Sequence, residues 1–310
     1  MEDVSQTIQL IAIDIDGTLL TPTGQITPRT RAAIRAARHA GVIVTLATAR
    51  RYIGALAVAS ALGLELPLIV YDGTLIVNHP SRSIVACQTL DPTTARQTIE
   101  LFRQHAMQPV VHPCESEQCV KEEVWTGPAA YDNPGLESYL AAAGERVKRM
   151  PYEVLHARAT QALRVVAFAQ RDALEKMLPA LSGLACSWNF APSGSYGSAE
   201  LAILPLNCSK ASGVAALAAH YQIELEHVMA LGDSYNDLEM LSMVGLGIAM
   251  GQAPEQVKAA ARTVTTSNQE DGVALAIERY VLAANPQAEG VTVGELLEEA
   301  ALLQSFNVMP

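Results

Sequence analysis

Asp14 and Asp16 stand two positions apart, directly after an apolar run and directly before Gly17-Thr18. Two anions that close repel, and they persist only where a cation sits between them or one of them takes a proton. The first arrangement is a hard-cation site built from oxygens. The second is a nucleophile beside a general acid. Gly232-Asp233-Ser234-Tyr235-Asn236-Asp237 supplies two more acids far along the chain. If both stretches meet, four carboxylates share one cleft, and a phosphate dianion enters only with a strong counter-charge. Mg²⁺ is the expected counter-charge, because it prefers oxygen ligands, retains waters and is commonly held by one or two carboxylates plus phosphate oxygens. Lys210 is a candidate second cation, and Thr48 offers a hydroxyl and a backbone N–H to a phosphoryl oxygen. An Asp-x-Asp alone reads as a solvated turn; the following Gly-Thr and the second acid cluster are what turn it toward chemistry.

These residues need strands to hold them. Ile8–Ile13 is a short, continuously apolar run ending at Asp14, the pattern of a strand buried on both faces of a parallel sheet. Thr27-Pro28 opens a helix with Thr as N-cap and Pro in the first turn, closed by Gly41. Val42–Ala47, helix Tyr52–Leu62 and Leu66–Tyr71, ending at Asp72-Gly73, continue an α/β doubly wound rhythm. Two short strands flank Asn78-His79-Pro80. The rhythm then changes. A helix from Asp91-Pro92 to about Met107 is followed by strands at Pro109–Val111 and Cys119–Trp125. A helix at Leu136–Ala143 comes next. Strands at Leu163–Ala169, Leu184–Phe190 and Glu200–Leu204, with a helix at Asp172–Leu181, complete the block. The first pattern returns as helix Ala211–His220, strand His227–Leu231, helix Asn236–Met243, strands Leu246–Met250 and Thr263–Thr265, and helix Val273–Ala283. The expected organisation is one α/β core, 1–83 plus 205–284, interrupted by an inserted α+β block at 84–204. The tail 285–310 carries four Glu and no Lys or Arg, and its Val293–Leu303 stretch reads as an amphipathic helix.

Composition narrows the function class. Half of the 310 residues are hydrophobic and 17% are charged, which excludes a disordered chain. A chain of this length buries roughly 75% of its unfolded surface. The net charge of −11 makes the body a poor ligand for nucleic acid or anionic lipid, while a local metal ion still admits a small phosphorylated substrate. Five scattered Cys with no CxxC fit a reducing cytosol. The knot of His112, Cys114 and Cys119 lacks the tight pairs of structural zinc and reads as a hairpin or loop holding thiols. Met1–Gln6 carries Glu2 and Asp3 and no basic n-region, so no signal peptide is expected, and charge breaks every apolar stretch well short of the roughly 18 residues of a membrane span. The expected location is the cytoplasm. The seven His are dispersed and none lies beside a proposed acid; Trp125 and Trp188 read as core anchors of the inserted block.

Asp14-Ile15-Asp16-Gly17-Thr18 resembles the first motif of the haloacid dehalogenase superfamily of phosphatases. Thr48-Ala49-Arg50 resembles the second motif, Lys210 the third, and Gly232–Asp237 the fourth, in the family's order. The long insertion between the second and third motifs is similar to that of the Cof-type branch (subclass IIB), whose members carry an α/β cap there. Ala249-Met250-Gly251 and Asn268–Val273 also resemble that branch. The resemblance implies a Rossmann-like parallel-sheet core with the cap inserted. It implies that Asp14 attacks phosphorus, and that Asp16 protonates the leaving oxygen and then activates water. Asp14, the Asp16 carbonyl and Asp233 would hold Mg²⁺, with Asp237 in or just behind that shell. Thr48, Lys210 and Asn236 would hold the phosphoryl group, with Ala49 and Arg50 facing substrate; Arg50 and Arg51 read equally as solvated side chains.

The sequence departs from the pattern at four positions. Ala49 and Ala211 stand where Gly is usual, Asp72 where Asn is common, and Gln252 where Asn is common. Added methyls at 49 and 211 are expected to narrow the approach to phosphate, and Asp72 to add negative charge near the mouth. The expected function is a Mg²⁺-dependent phosphatase of small phosphorylated metabolites, sugar phosphates leading and flavin or pyridoxal phosphates open, working as a monomer or homodimer. A phosphomutase and a non-catalytic phosphometabolite-binding module are the alternatives; the acid at Asp16 distinguishes turnover from a long-lived phospho-Asp.

Overall fold

Apolar runs form strands and capped segments form helices throughout the computed structural model, which describes residues 7–114, 122–194 and 196–283. Strand β1 (Leu10–Ile13) leads through a turn to helix α1 (Pro28–His39), then β2 (Ile43–Leu46), α2 (Tyr52–Ala61) and β3 (Pro67–Val70). A hairpin of β4 (Leu75–Asn78) and β5 (Ile84–Cys87) precedes α3 (Pro92–Gln104) and β6 (Val110–Pro113). Then come β7 (Val124–Thr126), α4 (Pro134–Ala143), β8 (Val147–Arg149), α5 (Tyr152–Arg158), β9 (Ala162–Ala169), α6 (Arg171–Leu181), β10 (Cys186–Ala191) and β11 (Ala199–Pro205). The chain continues with α7 (Lys210–His220), β12 (Val228–Gly232), α8 (Leu238–Met243), β13 (Leu246–Ala249), α9 (Glu255–Ala260), β14 (Thr263–Val264) and α10 (Gly272–Ile277). The described residues divide into two compact units, one built from those up to Thr48, Gly54–Ile69 and those from Lys210 to 283, the other from Ala49–Ile53 and the described part of Val70–Ser209.

The first unit is organised on a parallel sheet of order β14-β13-β12-β1-β2. β1 is wholly buried, as its unbroken apolarity requires. Its register pairs Ile13 with Leu231 on one side and Leu46 on the other, so the carboxyl ends of β1, β2 and β12 finish level. The chain steps outward from β1 to β2 in one direction and from β12 through β13 to β14 in the other. That reversal is the place where open α/β sheets bind ligands. Thr27 caps α1 by accepting from the Thr30 N–H at 3.1 Å, with Pro28 opening the first turn. Ala32, Ala33, Ile34, Ala36 and Ala37 form its buried face.

In the second unit, β4 and β5 pair antiparallel. A six-stranded sheet follows the order β10-β11-β9-β6-β7-β8, antiparallel except for the β7–β8 pair. Helices α3, α5 and α6 cover one face, packing Phe102, Leu155 and Met177 onto Val165, Ala167 and Leu201. Helix α4 covers the other, packing Leu136 and Tyr139 with Val166 and Phe168. Successive β9 residues thus serve opposite cores, the period-two alternation of a strand covered on both sides.

Several details differ from the sequence expectation. The helix expected over Asn236–Met243 is a 3₁₀ turn, Tyr235–Asp237, leading into α8. α5, α9 and β8 carry no periodic signal: α5 buries Leu155 alone and α9 Val257 alone, and β8 is mostly exposed. Trp125 is buried, as an anchor should be, but Trp188 is 47% exposed on edge strand β10. Cys119 and the tail 285–310 lie outside the described residues. No described helix is long and apolar enough to cross a membrane.

Candidate active site

β1 ends by handing Asp14 to the sheet's carboxyl edge, where the Asp14 N–H donates to the Leu231 carbonyl at 3.0 Å. The turn Ile15–Leu19 follows, with Gly17 at φ +86°. A Cβ on Gly17 would fall 2.2 Å from Asp233 Oδ2, so only glycine lets the two loops close. Thr18 Oγ1 donates to Asp233 Oδ1 at 3.1 Å. Gln252 Nε2 donates to the Gly17 carbonyl at 2.5 Å, and Gln252 accepts in turn from the Asn268 N–H at 3.2 Å. Asn268 Nδ2 then donates to the Leu20 carbonyl at 2.7 Å. The loop after β1 is therefore held by side chains from two loops near the other end of the chain.

The loop after β12 is organised by Asp237, which is fully buried. Its Oδ2 accepts from the N–H groups of Asp233 (3.1 Å) and Ser234 (3.0 Å) and from Ser234 Oγ (3.1 Å). That leaves Oδ1 for Lys210, the first residue of α7. Lys210 is only 2% exposed, and its Nζ donates to Asp14 Oδ1 and Asp237 Oδ1, both at 2.7 Å. Carboxylate oxygens of Asp14, Asp233 and Asp237 all lie within 4.8 Å of one another.

Burial dominates the electrostatics here. It raises the Asp14 carboxyl well above its ordinary range, against the pull of Lys210. It also pushes Asp233 up to about 6, with the Asp237 charge adding to the effect. Burial alone would lower Lys210, but the charges of Asp14 and Asp237 outweigh it and hold the ammonium protonated. Three carboxylates against one ammonium leave an excess of two negative charges, all on oxygen donors. A hard divalent cation matches that donor set in both charge and chemistry.

The other expected site residues are placed as follows. Asp16 is exposed on the turn after β1, outside the carboxylate cluster. Thr48 is buried at the end of β2, but its backbone N–H donates to the Ile69 carbonyl at 3.0 Å. The expectation that this N–H serves a phosphoryl oxygen is thus corrected, because β3 uses it. Asn236 Oδ1 accepts from Ser234 Oγ at 2.5 Å, leaving its NH₂ as the donor end.

Ala49 and Arg50 belong to the second unit. The Ala49 carbonyl accepts from Arg164 Nη1 at 3.0 Å, and the Arg50 carbonyl accepts from the Tyr71 N–H at 2.9 Å. Arg51 is not solvated but buried, with its guanidinium over the Tyr139 ring. Asp72 also corrects the expectation of added charge at a mouth. It is 2% exposed, its Oδ2 accepts from Arg164 Nη1 at 3.1 Å, and its Oδ1 accepts from Asn189 Nδ2 at 2.8 Å. Ala211, the residue after Lys210, is buried. Thr18, Ser234 and Asn268 escaped the sequence reading as site residues. Each stands inside a motif named above, but the motif assigned it no contact of its own.

Comparison with known proteins gives a consistent picture. Residues 11–277 match the family model of haloacid dehalogenase-like hydrolases. The chain is 25% identical to the pyridoxal phosphate phosphatase of Escherichia coli, over 89% of this chain and all of that protein. It is 29% identical to a 5-amino-6-(5-phospho-D-ribitylamino)uracil phosphatase of Bacillus subtilis, over 91% and 98% of the two chains. Among solved structures, a subclass IIB sugar phosphatase superposes with a TM-score of 0.72 at 22% identity, covering 88% of this chain and 98% of that one, a likeness of fold.

Proposed function

Because this chain belongs to the haloacid dehalogenase-like hydrolase family and is a phosphoric monoester hydrolase, we propose that it hydrolyses small phosphorylated metabolites, sugar phosphates foremost, through a phosphoaspartate. The observation that carries this reading is the cluster of buried Asp14 and Asp237, bridged by Lys210, with half-buried Asp233 beside them. Asp14 Oδ attacks phosphorus, forming the Asp–O–P bond as the P–O bond to the leaving alcohol breaks. Asp16, exposed beside it, gives its proton to the departing alkoxide; general acid help of this kind contributes about 10²–10⁴-fold. The Asp16 carboxylate then takes a proton from water. That water attacks phosphorus, the bond to Asp14 breaks, and inorganic phosphate leaves.

Lys210 offsets charge on Asp14 and on the phosphoryl oxygens, and the Thr48 hydroxyl and Asn236 amide orient those oxygens. Asp14, the Asp16 carbonyl, Asp233 and Asp237 would hold Mg²⁺. When bound it would neutralise charge that develops during transfer, the largest contribution to phosphoryl-transfer rates. The inserted stretch 84–204 selects the leaving group.

The test is hydrolysis of p-nitrophenyl phosphate by the full chain. Chelation should abolish it, Mg²⁺ should restore it, and Asp14→Asn should remove it. Phosphate release without a sugar bisphosphate activator separates hydrolysis from mutase chemistry. Full activity in Asp14→Asn would overturn the assignment, and indifference to chelation would remove the metal. A panel of phosphorylated metabolites then ranks the substrates.

A further inference from the structure

Cys87 and Cys114 lie 3.2 Å apart, sulfur to sulfur, with the Cys87 S–H donating to the Cys114 sulfur. They arrive from different places: Cys87 closes β5, and Cys114 immediately follows β6. Both backbones are anchored beside the sulfurs. The Gln88 N–H donates to the Thr74 carbonyl at 2.7 Å, and the Cys114 N–H donates to the Gln161 carbonyl at 2.8 Å. Cys87 is exposed and Cys114 half-buried, so the pair is reachable from solvent. Among the described residues, the other cysteines are Cys186 on β10 and the buried Cys208, and the clustered metal-type ligands are the three aspartates and no thiols. The shared proton and partial burial push the Cys87 thiol well above its ordinary range, so the pair rests as thiols rather than as a metal-binding thiolate.

We propose that Cys87 and Cys114 are a modification site, closing to a reversible disulfide when the chain meets a low-molecular-weight disulfide. In the first step one protein thiol loses its proton to solvent, the thiolate so formed attacks the oxidant's S–S bond, which breaks, and one small thiolate leaves and takes a proton. A protein–small-molecule mixed disulfide remains. In the second step the partner sulfur attacks the protein sulfur of that mixed disulfide and expels the second small thiolate. The two protein thiols lose two electrons and two protons, and the oxidant gains them as two small thiols. Bond formation needs the sulfurs to approach by about 1 Å more. The new bond ties the β4–β5 hairpin to β6. Arg164–Asp72 and the Tyr71 hydroxyl on Glu122 (3.2 Å) already hold the chain just before that hairpin. The link therefore reinforces an existing arrangement.

The experiment treats the full-length chain with oxidised glutathione and maps its peptides without reduction. The expected product is a Cys87–Cys114 linked peptide, reversed by dithiothreitol, with the thermal midpoint raised by about 5 °C. Cys87→Ser and Cys114→Ser should each abolish the link and leave a stable glutathione adduct on the surviving thiol, whereas Cys186→Ser should leave the link intact. Glutathione adducts without a link, or preferential linkage of either sulfur to Cys119, Cys186 or Cys208, would overturn the proposal. The wild-type map decides the matter even if a serine variant misfolds.

Discussion

Lys210 bridges two carboxylates at equal distance, so its replacement acts on charge before it acts on shape. Lys210→Met should cut phosphatase kcat by about 10²–10³-fold, the usual loss for one preorganised charge-stabilising donor. It should also destabilise the metal-free protein by about 3–5 kcal/mol in urea unfolding, because two buried carboxylates lose their partner. Asp233 makes a second prediction. Its folded-state carboxyl titrates near 6, above the unfolded value, so between the two the folded state binds more protons than the unfolded one. Metal-free protein should therefore gain stability as pH falls through about 6 and lose it as pH rises. Mg²⁺ competes with that same proton, and calorimetric titration should show its affinity weakening as pH drops through about 6.

At the scale of elements, the turn after β1 works only because Gly17 yields to Asp233. Gly17→Ala should leave the circular dichroism spectrum intact while lowering kcat/KM by about 10²-fold, the cost of a site displaced by roughly 1 Å. In the second unit, Arg164→Met strands the buried Asp72 and should cost about 3–5 kcal/mol. Adding Asp72→Asn should recover most of that loss, a non-additivity that a double-mutant cycle reads directly. Elements whose residues share one burial pattern were legible in the sequence. β1 and β12 announce themselves as unbroken apolar runs and β2 as one interrupted only by Thr45, and Thr27-Pro28 and Asp91-Pro92 mark helix starts that the caps realise. α5 and α9 were not legible, because one buried residue each makes no period. The order of the motifs pointed to Asp14, Asp233, Asp237 and Lys210, which the fold brings together. The use of the Thr48 N–H by Ile69, and the pairing of Asp72 with an arginine distant in the chain, are tertiary events with no local trace.

Across the whole molecule, the net charge of −11 sets a field that repels dianionic substrates at long range. Raising ionic strength from low values should therefore increase kcat/KM for a phosphate monoester, by less than tenfold, until screening is complete. A fall with added salt would instead point to local cations steering the substrate. The acidic cluster also fixes when, in the life of the chain, chemistry can begin. Asp14 leaves the ribosome early, but its flanking strand β12 and the buried partners Lys210 and Asp237 come from the last third of the polypeptide. A nascent or prematurely terminated product that stops before Lys210 would carry the proposed nucleophile, Asp14, without the groups that restrain it. Such fragments should be catalytically silent, and two inactive pieces divided ahead of Lys210 would regain turnover only by reassociating through the central parallel strands.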